Sequence, residues 1–96
     1  MLVETTTFRL VTAADEAAFL TADKRFQTEF IPNHAGFVRR TTARGFDGEW
    51  LVLTFWGTSD DADASDGAAA SDPVAAEFRA LIDPASVRTA RYETLD

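Results

Sequence analysis

Residues 49–56 read EWLVLTFW. In a β-strand successive side chains alternate between faces, so Trp50, Val52, Thr54 and Trp56 form one set and Leu51, Leu53 and Phe55 the other. Both sets are mainly apolar. A strand with one wet face alternates apolar with polar residues, whereas this one is suited to cover on both sides. What supplies the two covers decides the fold.

Immediately upstream, after Gly36, FVRRTTAR (37–44) is a second strand-like run, joined to 49–56 through Gly45, Phe46, Asp47 and Gly48. Asp-Gly favours positive φ, which predicts a tight hairpin. Further upstream, LVETTTFRLV (2–11) is rich in Thr, Val and Phe without a turn residue and predicts a first strand. Thr12 with Asp15 fits a capping box in front of DEAAFLTADKRFQTEFI (15–31). There Phe19, Ala22, Phe26 and Phe30 recur at spacings of three and four, the stripe of an amphipathic helix that Pro32 and Asn33 end.

Downstream, Thr58 or Ser59 is suited to cap a second helix, with Asp60 and Asp61 complementing its dipole. Its middle, ADASDGAAASD (62–72), is small, polar and interrupted by Gly67, so a loose or broken helix is expected. Asp72-Pro73 restarts it, and Val74, Phe78, Leu81 and Ile82 form a second apolar stripe. Asp83-Pro84 ends that stripe, and SVRTARYETL (86–95) predicts the last strand.

The order strand, helix, strand, strand, helix, strand predicts an α+β, ferredoxin-like βαββαβ fold: a four-stranded antiparallel sheet with two helices on one face. The helices cover one side of 49–56. A second copy is the simplest cover for the other, two sheets closing face to face into a dimeric α+β barrel. Leaving that face in water would forfeit roughly 2 kcal/mol for each large side chain.

Composition sets the frame. Ninety-six residues suffice for one domain, 1–96. With no cysteine, stability must come from apolar packing or self-association, for which eight Phe, two Trp and one Tyr supply material. Sixteen acidic residues against nine basic give a net charge of −7, which disfavours nucleic acid and anionic membranes as partners. No apolar run is long enough to span a bilayer and the N-terminus lacks the pattern of a signal peptide, so a cytoplasmic location is expected. RNA-recognition modules share the element order but need exposed aromatics on a basic sheet, which this composition does not offer. Gly-rich phosphate loops, a Ser-centred nucleophile elbow and CxxC pairs are lacking, which removes the kinase and hydrolase readings.

PNHAGFVRR (32–40), GEWLVLTFWGTSD (48–60) and AEFRALIDPASVR (76–88) together resemble the dimeric α+β barrel superfamily, and within it the antibiotic-biosynthesis-monooxygenase-like branch. The similarity runs over nearly the whole chain, and its markers, the turn at Ala35-Gly36-Phe37 and Trp56 before a helix cap, are fold markers. The resemblance implies a homodimer and a site between sheet and helices. Members include cofactor-independent oxygenases of polycyclic phenols and haem-degrading enzymes. The latter use a His and a Trp on the second helix and an Asn on the first strand. This chain has Ala64, Ser65 and Asp66 in that helix and no Asn in that strand, so haem degradation is not expected. Where some oxygenases place an amide on the third strand, Val52 and Thr54 stand here.

Candidate site residues follow. Trp56 and Thr54 share a strand face, and indoles commonly line aromatic-ligand sites. Arg39 offers a planar cation for an acidic or phenolic ligand. His34, the one histidine, stands in the loop after the first helix and has the chemistry for proton transfer. Tyr92 is a lone phenol, and Phe26 could wall a pocket between helix and sheet. Each also has a structural reading: packing for the aromatics, a solvent-facing loop for His34, and cross-strand pairing with Glu4, Glu49 and Glu93 for the strand arginines. One imidazole among scattered carboxylates matches no zinc or iron site, so neither a metal nor a cofactor is expected. The expected function is a homodimer that binds a small apolar or aromatic molecule between sheet and helices. The alternative is a cofactor-independent monooxygenase or isomerase acting on an aromatic, polyketide-like substrate.

Overall fold

The computed structural model describes residues 1–95; Asp96, the last residue of the expected 1–96 domain, lies outside the described residues. The described residues build an antiparallel sheet of four strands, β1 (Leu2–Phe8), β2 (Phe37–Arg44), β3 (Trp50–Trp56) and β4 (Arg88–Glu93), in the order β2-β3-β1-β4. Helices α1 (Glu16–Arg25), α2 (Ser59–Ala69) and α3 (Pro73–Ala80) join them in the ferredoxin-like order. Trp50, Val52, Thr54 and Trp56 are all buried, whereas Leu51, Leu53 and Phe55 are only half-buried. The first set is therefore the helix-covered face of β3, and the second is open.

Register extends the open face sideways. Val3, Phe55 and Arg39 stand in one row, Thr5, Leu53 and Thr41 in the next, and Thr7, Leu51 and Ala43 in the third. On β4, Tyr92, Ala90 and Arg88 continue these rows. This face has an apolar centre and a polar, cationic rim.

Several boundaries differ from the sequence reading. The first strand ends at Phe8, not residue 11, because Arg9 leaves the ladder: its carbonyl accepts from Asp83 N (2.9 Å) and its amide donates to Ser86 Oγ (2.8 Å). Asp15, rather than Thr12, caps α1, its carboxylate accepting from Ala18 N at 2.6 Å. The helix does not run uniformly to residue 31. It widens to a π turn over Phe26–Phe30, where Ile31 N donates to Phe26 O, and tightens to a 3-10 turn at Ile31–Asn33. That widening adds a residue to the turn, which lets the neighbours Phe30 and Ile31 both reach the core.

The loose or broken helix expected over 62–72 is observed in part: α2 stays helical through Gly67 to Ala69, and the break falls at 70–72, in the turn before Pro73. Thr58 accepts from Asp61 N at 3.1 Å, Asp60 and Asp61 occupy the first turn, and Ala62 and Ser65 bury a narrow small-residue face. Tertiary packing outweighs the weak propensity of that segment. Asp72 caps α3 as the sequence indicates, accepting from Val74 N and Ala75 N.

The core has two centres. Phe8, Phe19, Trp50 and Val52 form one, beside Phe78, Leu81 and Ile82. Phe30, Ile31, Trp56, Ala62 and Ala75 form the other.

Candidate functional site

A cavity of about 300 Å³ opens between the two halves of the core, with the inner face of the sheet as its floor and the helical layer as its roof. Its floor is Glu4, Thr6 and Phe8 from β1, Val52, Thr54 and Trp56 from β3, and Arg40 from β2. Phe26, Phe30 and Phe78 form much of the roof, and Ser65 and Asp66 project from α2. The alternation of β1 and β3 puts their even-numbered residues on this floor, so the strand periodicity that gave the fold also builds the site.

Of the sequence-derived candidates, Trp56, Thr54 and Phe26 line this cavity. The Trp56 indole is almost fully buried and packs edge-on against Phe37 with centroids 5.9 Å apart. Its Nε1–H finds no acceptor among the described residues, an unmet donor in an apolar setting.

Arg39 and Tyr92 are elsewhere. Both are exposed on the open sheet face, in the row of Phe55 and Val3. The reason for Arg39 is a β-bulge: the β2–β3 register shifts between Phe37 and Arg39, so Val38 is unpaired and the alternation slips by one. The arginine on the inner face is Arg40, with its side chain 1% exposed. Its guanidinium is already engaged. Nη2 donates to Asp23 Oδ1 at 2.9 Å and Nη1 to Gln27 Oε1 at 2.9 Å, and the plane stacks over Phe26 at 4.7 Å. Burial lowers its pKa, with the Asp23 carboxylate opposing that shift. Arg40 is thus a wall element neutralised by α1.

His34 does not stand free in a loop. Its Nδ1 lies 2.7 Å from Ser65 Oγ on α2, and its ring sits edge-on to Phe30 at 4.2 Å between centroids. A second recess, of about 230 Å³, is bounded by His34, Ala35, Asp61, Ala64, Ser65 and Ala68. Ser65 belongs to the walls of both spaces.

Two carboxylates on the cavity wall escaped the sequence reading as site residues. Glu4 was legible only as a partner for a strand arginine. That pairing exists, Arg91 Nε donating to Glu4 Oε2 at 2.9 Å, and Arg91 also reaches Asp63 (2.7 Å) and Asp66 (3.3 Å) on α2. Burial raises the Glu4 carboxyl above its ordinary range, opposed by the hydrogen bond from Arg91 and reinforced by Asp66. Asp66 is raised by the same cause, with Arg91 opposing and Asp63 adding. Alternation along β1 could have flagged Glu4, which shares the face of Phe8; nothing local to α2 could have flagged Asp66. Among the described residues, no three His, Asp or Glu side chains converge as a metal-binding cluster.

With this geometry the cavity can enclose a flat apolar molecule, with Thr54, Ser65 and the carboxyl-bearing Glu4 and Asp66 among the polar residues of its walls. No protein-family model matches the chain, and no curated protein does. Solved structures do. A variant of SnoaB, a cofactor-independent oxygenase from Streptomyces nogalater, is 20% identical, covers 99% of this chain and 93% of its own, and superposes with a TM-score of 0.79. A candidate antibiotic biosynthesis monooxygenase from Nitrosomonas europaea is 18% identical over 100% of both chains, with a TM-score of 0.75. A further candidate of that description, from Caulobacter crescentus, is 13% identical over 99% of this chain and 90% of its own, with a TM-score of 0.80. The chain therefore has the ferredoxin-like α+β fold of the antibiotic-biosynthesis-monooxygenase-like proteins. At these identities the likeness is one of fold.

Proposed function

We propose that residues 1–96 form a single-domain, cytoplasmic homodimer that binds a small, largely apolar aromatic molecule between sheet and helices. The observation that carries this reading is the cavity of about 300 Å³, whose volume suits a ligand of one to three fused rings and whose walls are mainly aromatic and aliphatic. Trp56, Thr54 and Phe26 are its ligand-contacting residues, with His34 acting from the second recess. Arg39 and Tyr92 belong in this reading to the dimer rim. The half-buried Leu51, Leu53 and Phe55 support pairing through the open sheet face, because an exposed apolar patch of that size is characteristic of an interaction surface.

A second reading, a cofactor-independent monooxygenase, draws support from the Glu4 and Asp66 carboxyls at the cavity edge and from the fold shared with SnoaB. In that case substrate acidity would supply the reactivity and the protein desolvation and positioning. Thermal-shift titration with phenols, quinones and haem, followed by oxygen-uptake measurements on each hit, separates the two. Stabilisation by phenols or quinones without oxygen uptake supports binding alone, and uptake on a hit supports the oxygenase. Val52→Trp, which fills the cavity floor, should abolish the response. Melting curves unmoved by every compound would remove the ligand-binding reading.

A further inference from the structure

The His34–Ser65 pair joins two spaces that are otherwise separate. Ser65 is buried, 4% exposed, and its residue contributes to the wall of the ligand cavity and to that of the second recess. His34 is half-buried on the recess side. Their contact of 2.7 Å spans 31 residues of sequence and is held from both ends. His34 N donates to Ile31 O at 3.2 Å, and His34 O accepts from Phe37 N at 3.3 Å, which fixes the backbone carrying the imidazole. Phe30 packs against the ring on one side and lines the ligand cavity on the other. Ser65 is fixed by its place in the buried stripe of α2.

A buried hydroxyl bonded to an imidazole that reaches a second opening is a two-member proton path, since histidine exchanges protons near neutral pH and a hydroxyl donates and accepts at once. We propose that Ser65 and His34 carry a proton from an acidic aromatic hydroxyl bound in the cavity to the recess, so that the ligand is held as its phenolate. This rests on the ligand-binding reading above and specifies its ligand class. The ligand O–H bond breaks and its proton passes to Ser65 Oγ as the Ser65 proton passes to His34 Nδ1. A phenolate and an imidazolium result, and the imidazolium exchanges its Nε2 proton with solvent in the recess. Ser65 touches the ligand; His34 acts through Ser65 and is a positioning and relay residue.

Other ionisable groups face the pair. Asp61 shares the recess with His34, and Asp66 and Glu4 share the cavity wall with Ser65. Arg79, also on that wall, donates to Ala69 O at 3.1 Å. Arg40 is neutralised by Asp23, and Glu4 and Asp66 are bonded to Arg91. The nearby carboxylates oppose a phenolate in the cavity, so the proposed ionisation depends on the direct hydrogen bond between Ser65 and His34.

Because the chain has one histidine, its ring signals are unambiguous in NMR. The probe is para-nitrophenol, whose phenol and phenolate differ in visible absorbance. With the wild type held about one unit above the imidazole's measured midpoint, saturating probe should convert His34 to imidazolium. The bound probe should ionise with a midpoint about one unit lower than free probe, a tenfold change in its ionisation constant. Ser65→Ala should bind the probe but lose both changes. His34→Gln, which keeps a hydrogen-bonding partner for Ser65, should also bind and lose the ionisation shift. Probe that binds all three proteins with its midpoint unchanged would overturn the relay and leave ligand binding intact. A wild type that does not bind the probe, by calorimetry or thermal shift, would overturn both.

Discussion

Arg39 and Arg40 are identical neighbours, yet one lies on the open face of the sheet and the other beneath α1. The difference is the single unpaired residue, Val38, at the start of β2. Once inside, Arg40 is balanced by Asp23 and Gln27, and removing either charge of that pair would strand the other in a low-dielectric setting. Glu4 shows the converse. Its carboxyl is held above the usual 4.5 because burial outweighs the hydrogen bond from Arg91. A carboxyl that keeps its proton to higher pH when folded contributes stability that is full below the unfolded value and is lost as pH rises through the folded one. As pH rises from below 4.5 through the raised range of the folded carboxyl, the melting temperature of the wild type should therefore fall relative to that of Glu4→Gln. Parallel curves for the two proteins would show that the Glu4 carboxyl is not raised.

At the scale of elements, two segments depart from what their own residues favour. The helix through Phe19 and Phe30 reads as one regular amphipathic stripe, but Pro32 removes a donor at its end and the chain absorbs the mismatch in a π turn. The sequence shows the stripe but not the widening, since the extra residue is placed by what Phe30 and Ile31 must touch. In α2 the reverse occurs: poor helix formers are held helical by the Thr58 cap and by Ala62 against the Trp56 cluster. Gly67 is the weak point of that helix, and a Cβ there would meet nothing within 4 Å. Gly67→Ala should stabilise the protein by about 0.5–1 kcal/mol, measured by urea denaturation. Unchanged or lower stability would mean that α2 is not limited by backbone entropy. Gly36 is different in kind. At φ +80°, with its missing Cβ replaced by the Asp61 carboxylate, it holds the turn that brings His34 against α2.

At the scale of the molecule, the sheet has a covered face and an open one, and the proposed second copy would cover the open one. Leu53 stands at its centre, between Thr5 and Thr41. Leu53→Asp should convert a species of twice 10.5 kDa into one of 10.5 kDa in light scattering, at little cost to the helix-covered core. A wild-type mass of 10.5 kDa in a well-folded sample would end the dimer proposal. No helix among the described residues is long and apolar enough to cross a membrane.

The strand and helix order, the two apolar faces of EWLVLTFW and the caps at Thr58 and Asp72 could be read from residues 1–95 because each depends on near neighbours and on a period of two or of about three and a half. Tertiary structure alone decided which arginine enters, that Glu4 and Asp66 share a wall, that a cavity separates the two halves of the core, and that His34 meets Ser65. Those outcomes join residues tens of positions apart, and a single bulge or widened turn is enough to reassign them. Local periodicity carries no record of where such an irregularity falls.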